Sequence, residues 1–222
     1  GREGQAPMTM ARGRYEEVRG LYAIVDTDLV GPIRAVRVAE ALVEAGAGVL
    51  QLRAKTLQSG DFLALARRLR DICYGRGALF IVNDRVDVAI ASGASGVHLG
   101  QDDIPVLEAR RLLGREMVIG LSTHSLEQAR LAGDTSADYI SFGPVYPTST
   151  KKDAEPALGL EALGKACSLV TKPLVAIGGI TEDRLPGVLA TGVEAVAMIS
   201  HILLDRDPAS KARRIMGMME RK

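Results

Sequence analysis

From Leu21 onward, short apolar, β-rich runs alternate with longer stretches of helical period, and no other feature restricts the fold as strongly. Eight such runs can be marked: Leu21–Asp26, Val49–Ala54, Ala78–Asn83, Gly96–Gly100, Met117–Ser122, Tyr139–Val145, Pro173–Gly178 and Ala195–Ser200. Repeated βα units of this kind build a parallel sheet. The runs LVAIGG from Leu174 and AVAMIS from Ala195 are apolar at nearly every position, as expected of strands covered on both faces. Between the runs, Pro32 suits a first helical turn, and Ala35, Val38, Ala39, Leu42 and Val43 form an apolar stripe ending near Gly46 and Gly48. Further stripes run through Phe62, Leu65, Ala66 and Leu69, and through Leu160, Leu163 and Ala166; these are core positions.

Eight units of about 25 residues each predict an α/β fold, a single-domain (β/α)8 TIM barrel a little below the usual ~250 residues. With 222 residues, 47% of them hydrophobic, one domain with a full core is the natural reading. A doubly wound open sheet is the alternative, but no Gly-x-Gly-x-x-Gly follows the first strand, which weighs against a dinucleotide-binding version. The catalytic barrel is expected over residues 21–222. Residues 1–20, with Arg2, Arg12, Arg14 and Arg19 among scattered Gly and Pro, are expected to be a mobile N-terminal tail.

Lys and Arg total 28 against 27 Asp and Glu, so no global field draws the chain to nucleic acid or to a membrane surface. An anionic ligand must therefore be held by a local site. No apolar run is long enough to span a membrane and no secretory signal opens the chain, so a cytoplasmic protein is expected. Cys73 and Cys167 lie far apart in helix-like stretches and are expected to be reduced, buried and inert. Whether the chain forms a homo-oligomer is left open.

In such a barrel the active site lies at the C-terminal ends of the strands, and there the apolar runs here give way to polar residues. Gln51, Arg53 and Lys55 alternate along the second strand and would share one side, toward the mouth. An inward Arg and Lys suit an anion, or else a salt-bridge layer. Asn83-Asp84 ends the third strand and Gln101-Asp102-Asp103 follows the fourth. Taken singly these read as a helix cap and a turn. Together, beside a basic cluster, they suit Mg2+ on a pyrophosphate. Ser122-Thr123-His124 ends the fifth strand, and the loop Gly143–Lys152 after the sixth is the lid candidate. Gly178-Gly179 after the seventh strand and Ile199-Ser200 after the eighth occupy the usual phosphate cradle of barrel enzymes. The three histidines have no metal-ligand spacing, and His98, mid-strand, reads as a satisfied interior residue. No Ser/His/Asp or Cys/His order suggests nucleophilic catalysis.

The residues alone lead to a barrel that binds one pyrophosphate with a metal and one further phosphate. Gln51-Leu52-Arg53-Ala54-Lys55, Val82-Asn83-Asp84-Arg85, the string Gly96–Asp103, the string Gly143–Lys151 and Ile177-Gly178-Gly179-Ile180 resemble, in order and spacing, the motifs of the thiamine-phosphate synthases. The resemblance runs from Leu21 to about Leu204. It implies that Gln51, Arg53, Lys55 and Asn83 hold an aminopyrimidine pyrophosphate, with Asp84 and Asp103 ligating its Mg2+. Ser122 and Lys151 would add contacts to the same substrate, and with Arg53 and Lys55 they make up the implied catalytic set. Thr148 and Thr150 would border a thiazole phosphate, with the variable Ser149 between them, and its phosphate would rest on backbone at Gly179, Ile199 and Ser200. The implied chemistry is a dissociative substitution, in which pyrophosphate departs and the thiazole nitrogen captures the pyrimidine cation. A related thiazole tautomerase, with His124 as base, and a catalytically silent phosphate-binding barrel are the alternatives.

Overall fold

The computed structural model describes residues 18–148 and 155–220. Eight parallel strands, β1 (Gly20–Asp26), β2 (Val49–Arg53), β3 (Leu79–Asn83), β4 (Gly96–Leu99), β5 (Val118–Thr123), β6 (Tyr139–Phe142), β7 (Leu174–Ile177) and β8 (Ala195–Met198), close a barrel in sequence order. The helices around it are α1 (Thr27–Glu44), α2 (Ser59–Tyr74), α3 (Val86–Ser92), α4 (Val106–Leu113), α5 (Leu126–Gly133), α6 (Gly159–Leu169), α7 (Leu185–Ala190), α8 (Ser200–Leu203) and α9 (Pro208–Met219). All eight expected strands form, and β8 pairing with β1 excludes the open sheet. Several end earlier than expected. Tyr139–Val145 stops at Phe142, for example, because Val145 and Tyr146 donate their N–H groups to Ile177 and Gly178 beyond the β7 ladder.

Alternation along each strand sorts the residues into two cores. Leu21, Ala23, Val25, Leu50, Leu52, Phe80 and Val82 face the helices and meet Ala39, Leu42 and Leu69 there. Tyr22, Ile24, Val49, Leu79, Ile81, Val118, Tyr139 and Val175 fill the barrel itself. Leu50 and Leu52 are fully buried, so truncating either to Ala would cost about 2–5 kcal/mol. In α1 the backbone breaks at Gly31 (φ 71°), and Pro32 opens the longer helical segment, the first-turn place expected of it.

The chain joins the fold earlier than residue 21. Val18 is 1% exposed and packs among the interior residues, and Gly20 begins β1, bonding to Glu194 at 2.8 Å. The remaining tail residues, 1–17, lie outside the described residues. Cys73 is fully buried, and burial pushes its thiol up to about 12, so it stays protonated; Cys167 is only half-buried, contrary to expectation. At the N-terminal end of the barrel Arg110 pairs with Asp138 at 2.5 Å, and Asp138 also accepts the Ile119 N–H, which ties α4 to β5. Polar chemistry at that end serves stability, and the opposite end is where a ligand can enter.

Candidate active site

Inward positions change character along the barrel axis. Val49, Leu79, Ile81 and Val118 form an apolar floor, and above it, at more than one height, stand Gln51, Arg53, Asn83, His98, Ser122 and Ser141. The upper layer opens into a cavity of about 740 Å³ at the C-terminal mouth, within the range of small-molecule sites and roomy enough for two substrates.

On the β2–β4 side the cavity is lined with charge. Arg53 pairs at 2.5 Å with Asp26, its register partner on β1, and lies 4.0 Å from Asp28. Asp26 is 2% exposed and also caps α1 by accepting the Asp28 N–H at 2.9 Å, so the helix start and the guanidinium are fixed by one carboxylate. Lys55, 52% exposed, reaches Asp84 at 2.5 Å. Asp84 has the left-handed φ of 61° and donates its N–H to the His98 carbonyl at 2.8 Å. It does not cap α3, whose N-cap is Arg85 without a side-chain cap bond; the cap reading of Asn83-Asp84 therefore fails. Such a backbone in an Asp at a cavity rim is strain of the kind found at functional sites. Burial pushes the Asp84 carboxyl above the usual range, Lys55 pulls it down, and Asp103 beside it adds to the rise.

Asp103 accepts the Gly100 N–H at 2.6 Å, which bears out the turn reading of that loop, and it also lines the cavity. Two carboxylates brought together at the cost of a raised proton affinity fit a hard cation. Among the described residues no group of three or more His, Cys, Asp or Glu is placed to hold a metal. Mg2+ needs only one or two carboxylates when waters and phosphates complete its shell.

Across the cavity, the β7–β8 side has glycine and backbone. Gly178 (φ 99°) and Gly179 (φ 64°) adopt conformations costly to other residues, and a Cβ on Gly179 would lie 2.6 Å from the Pro147 carbonyl oxygen. The pair thus lets the loop from Gly143 onward pack directly on the strand end. Arg184 secures that contact, donating to the Gly179 carbonyl at 2.6 Å while its guanidinium stacks 4.6 Å from the Tyr146 ring centre. Ile199 caps α8, the short helix that opens at Ser200, and both residues line the cavity with Gly179 and Thr148. His124 also lines it, its Nδ1 donating to the Gly143 carbonyl at 2.7 Å.

The structure therefore brings Arg53, Lys55, Asn83, Asp84, Asp103, Ser122, Thr148, Gly179, Ile199 and Ser200 to one cavity. Gln51 sits lower than expected. It is 3% exposed and donates to Tyr22 at 2.8 Å, on a small inner hollow beneath the mouth. His98 is the satisfied interior residue expected, bonded to Tyr139 and Ser122. Ser149, Thr150 and Lys151 lie outside the described residues. Sequence reasoning missed Asp26 as the partner of Arg53, Tyr22, Tyr139 and Ser141 in the polar layer, and the Arg184–Tyr146 clasp. The first four were detectable as polar or phenolic groups at inward positions of period two; nothing in the sequence marks the clasp.

Known proteins resemble this chain over most of its length. The thiamine monophosphate synthase family matches residues 21–202. The thiamine-phosphate synthase of Laribacter hongkongensis (strain HLHK9) is 44% identical over 199 residues, covering 89% of this chain and 94% of that protein. That of Methanospirillum hungatei JF-1 is 41% identical over 200 residues, covering 90% and 97%. The solved thiamine phosphate pyrophosphorylase from Pyrococcus furiosus superposes with a TM-score of 0.85 at 34% identity, covering 93% of this chain and 98% of that one. The chain belongs to the thiamine monophosphate synthase family, transferases of thiamine biosynthesis.

Proposed function

We propose that the chain joins 4-amino-5-hydroxymethyl-2-methylpyrimidine pyrophosphate to 4-methyl-5-(2-phosphooxyethyl)thiazole, giving thiamine phosphate and pyrophosphate with Mg2+. The observation that carries this is the division of one cavity into a charged rim of Arg53, Lys55, Asp84 and Asp103 and a glycine-backbone rim at Gly179 and Ser200. Two anionic groups of different size can be held there at once. The pyrimidine methylene carbon loses its C–O bond to pyrophosphate, whose oxygens take the electron pair, and the thiazole nitrogen forms the new C–N bond to that carbon.

Asp84 and Asp103 are the residues that would hold Mg2+, which neutralises charge on the pyrophosphate oxygens when bound. Arg53, already oriented by Asp26, offers its remaining N–H groups to the same anion. Lys55 pairs with Asp84 and is half-exposed at the mouth, so its ammonium would be able to turn to the pyrophosphate. Ser122, on the wall between the two rims, contributes a hydroxyl hydrogen. Asn83, Gln51 and the loop through Thr148 orient the two substrates, and alignment supplies the remainder of the rate enhancement.

No general base is required, in keeping with a site rich in charge and poor in acid–base pairs. The tautomerase reading draws on His124, whose Nδ1 is fixed by Gly143 so that Nε2 would carry the lone pair. Proton transfer alone has no use for the Asp84–Asp103 rim, and we take the condensation as the function. Among the described residues no helix is long and apolar enough to cross a membrane. A cytoplasmic location and small-molecule substrates belong to the same proposal, and the nearly balanced charge gives no global field toward a nucleic acid.

The test is thiamine phosphate formation with each substrate and Mg2+ omitted in turn. Product only with all three is expected. Turnover of a thiazole isomer without the pyrimidine pyrophosphate would select the tautomerase instead.

A further inference from the structure

Between the apolar floor and the mouth, a line of hydrogen bonds crosses the barrel. Gln51 Nε2 donates to the Tyr22 hydroxyl at 2.8 Å, and the Tyr22 and Tyr139 hydroxyls are 2.7 Å apart. The Tyr139 hydroxyl lies 2.9 Å from His98 Nδ1, and His98 Nε2 lies 2.9 Å from Ser122 Oγ. Five strands contribute. Gly120 leaves the space for it, since a Cβ there would stand 2.1 Å from the Tyr139 ring and 2.4 Å from His98 Nδ1.

Counting donors gives the line a direction. An amide nitrogen can only donate, so the Tyr22 oxygen accepts from Gln51 and passes its own hydrogen to Tyr139. Tyr139 then donates to His98 Nδ1. A neutral imidazole with Nδ1 accepting carries its hydrogen on Nε2, which points at Ser122 Oγ. Ser122, accepting there, directs its own hydrogen to the cavity. Burial pushes both phenols up, so Tyr22 and Tyr139 keep their hydrogens.

We propose that Tyr22, Tyr139 and His98 are positioning residues, a relay that sets the His98 tautomer and thereby aims the Ser122 hydroxyl at the departing pyrophosphate, in step with Gln51 at the far end. The relay rests on the reading above, in which Gln51 and Ser122 touch the pyrimidine pyrophosphate. Turning the Gln51 amide by half a rotation would reverse every hydrogen in it and point Ser122 away from the substrate. The orientation of one buried amide thus governs a hydroxyl on the opposite wall.

The experiment joins 15N NMR of the histidine-labelled full chain, recorded without substrate, to a double-mutant cycle. His98, identified by its loss in His98→Asn, is expected to show a proton on Nε2 and none on Nδ1, and Tyr139→Phe is expected to mix the two tautomers. In turnover, Tyr139→Phe should lower kcat about five- to tenfold, the size of one neutral hydrogen bond, with KM for the thiazole phosphate unchanged. In a Ser122→Ala background the same substitution should have almost no further effect. A proton on Nδ1 in the unsubstituted chain, or losses that multiply independently, would overturn the relay. Should Tyr139→Phe fail to fold, Tyr22→Phe enters the same cycle with the same expectation. Absence of thiamine phosphate from the unsubstituted chain would sink the functional reading, while the tautomer would still decide the relay.

Discussion

The two rims of the cavity are built by different means, and in the proposed function each would hold its anion in its own way. On the β2–β4 side the work falls to side chains, Arg53 against Asp26 and Lys55 against Asp84, with Asp103 beside them. On the β7–β8 side it falls to backbone, shaped by Gly178 and Gly179 and by the start of α8. The difference matches what the proposed function asks of each rim. A leaving group gains charge during the reaction and is best met by mobile cations and long side chains, whereas a phosphate that serves only as a handle needs a fixed cradle. The charged rim should therefore be sensitive to loss of a side chain, and the glycine rim to the gain of one.

Four experiments can break or sharpen that contrast. Asp84→Ala should have the largest effect, a fall of about 10³ in kcat/KM with loss of Mg2+ saturation, because it would remove a proposed metal ligand and leave Lys55 without its partner. Steady-state kinetics against Mg2+ concentration would show it. Gly179→Ala comes next: forcing a Cβ to within 2.6 Å of the Pro147 carbonyl at φ 64° should cost about 1–3 kcal/mol in denaturant melts. The same substitution should raise KM for the thiazole phosphate more than KM for the pyrimidine pyrophosphate. If the pyrimidine pyrophosphate suffers more, the rims are assigned the wrong way round.

A pH effect follows in size. The Asp84 carboxyl is held above its ordinary value, so the folded chain favours its protonated form. Stability from that proton is fully present below the unfolded carboxyl's pKa and is lost as pH climbs from there through the raised one, while Mg2+ would require the carboxylate. Mg2+ should therefore bind more weakly as pH falls toward that pKa, and should raise Tm more at about pH 7.5 than at about pH 5.5. Calorimetric melts with and without Mg2+ would reveal an opposite trend if burial of Asp84 has been misread. Smallest of all, Ser200→Ala should change KM for the thiazole phosphate by less than about twofold, because the backbone N–H it leaves behind is the group that matters on this rim.

Legibility in the sequence followed the same division. The eight strands were readable because both faces of each are buried, so their apolar runs stand out; their ends were not, because loop residues such as Val145 extend the apolar pattern past the ladder. Arg53, Asp84 and Asp103 were recognisable as charges interrupting such runs. Which of them pair was not, since Asp26 looks like the end of a strand until β1 and β2 are placed in register. Gln51 was expected at the mouth, yet it lies below, because a Tyr22 hydroxyl inside the barrel satisfies its amide. Phenols at inward positions read as bulk in a sequence. Only the closed barrel turns Tyr22 and Tyr139 into hydrogen-bonding neighbours, 117 residues apart in the chain.

The most direct measurement is a crystal structure with Mn2+ in place of Mg2+, together with pyrophosphate and thiamine phosphate, with the metal located by its anomalous signal. Mn2+ is expected between Asp84 and Asp103 with pyrophosphate against Arg53 and Lys55, and the thiamine phosphate group across the cavity at Gly179 and Ser200. Metal or pyrophosphate bound instead at the glycine rim, with Asp84 still paired to Lys55, would contradict this arrangement.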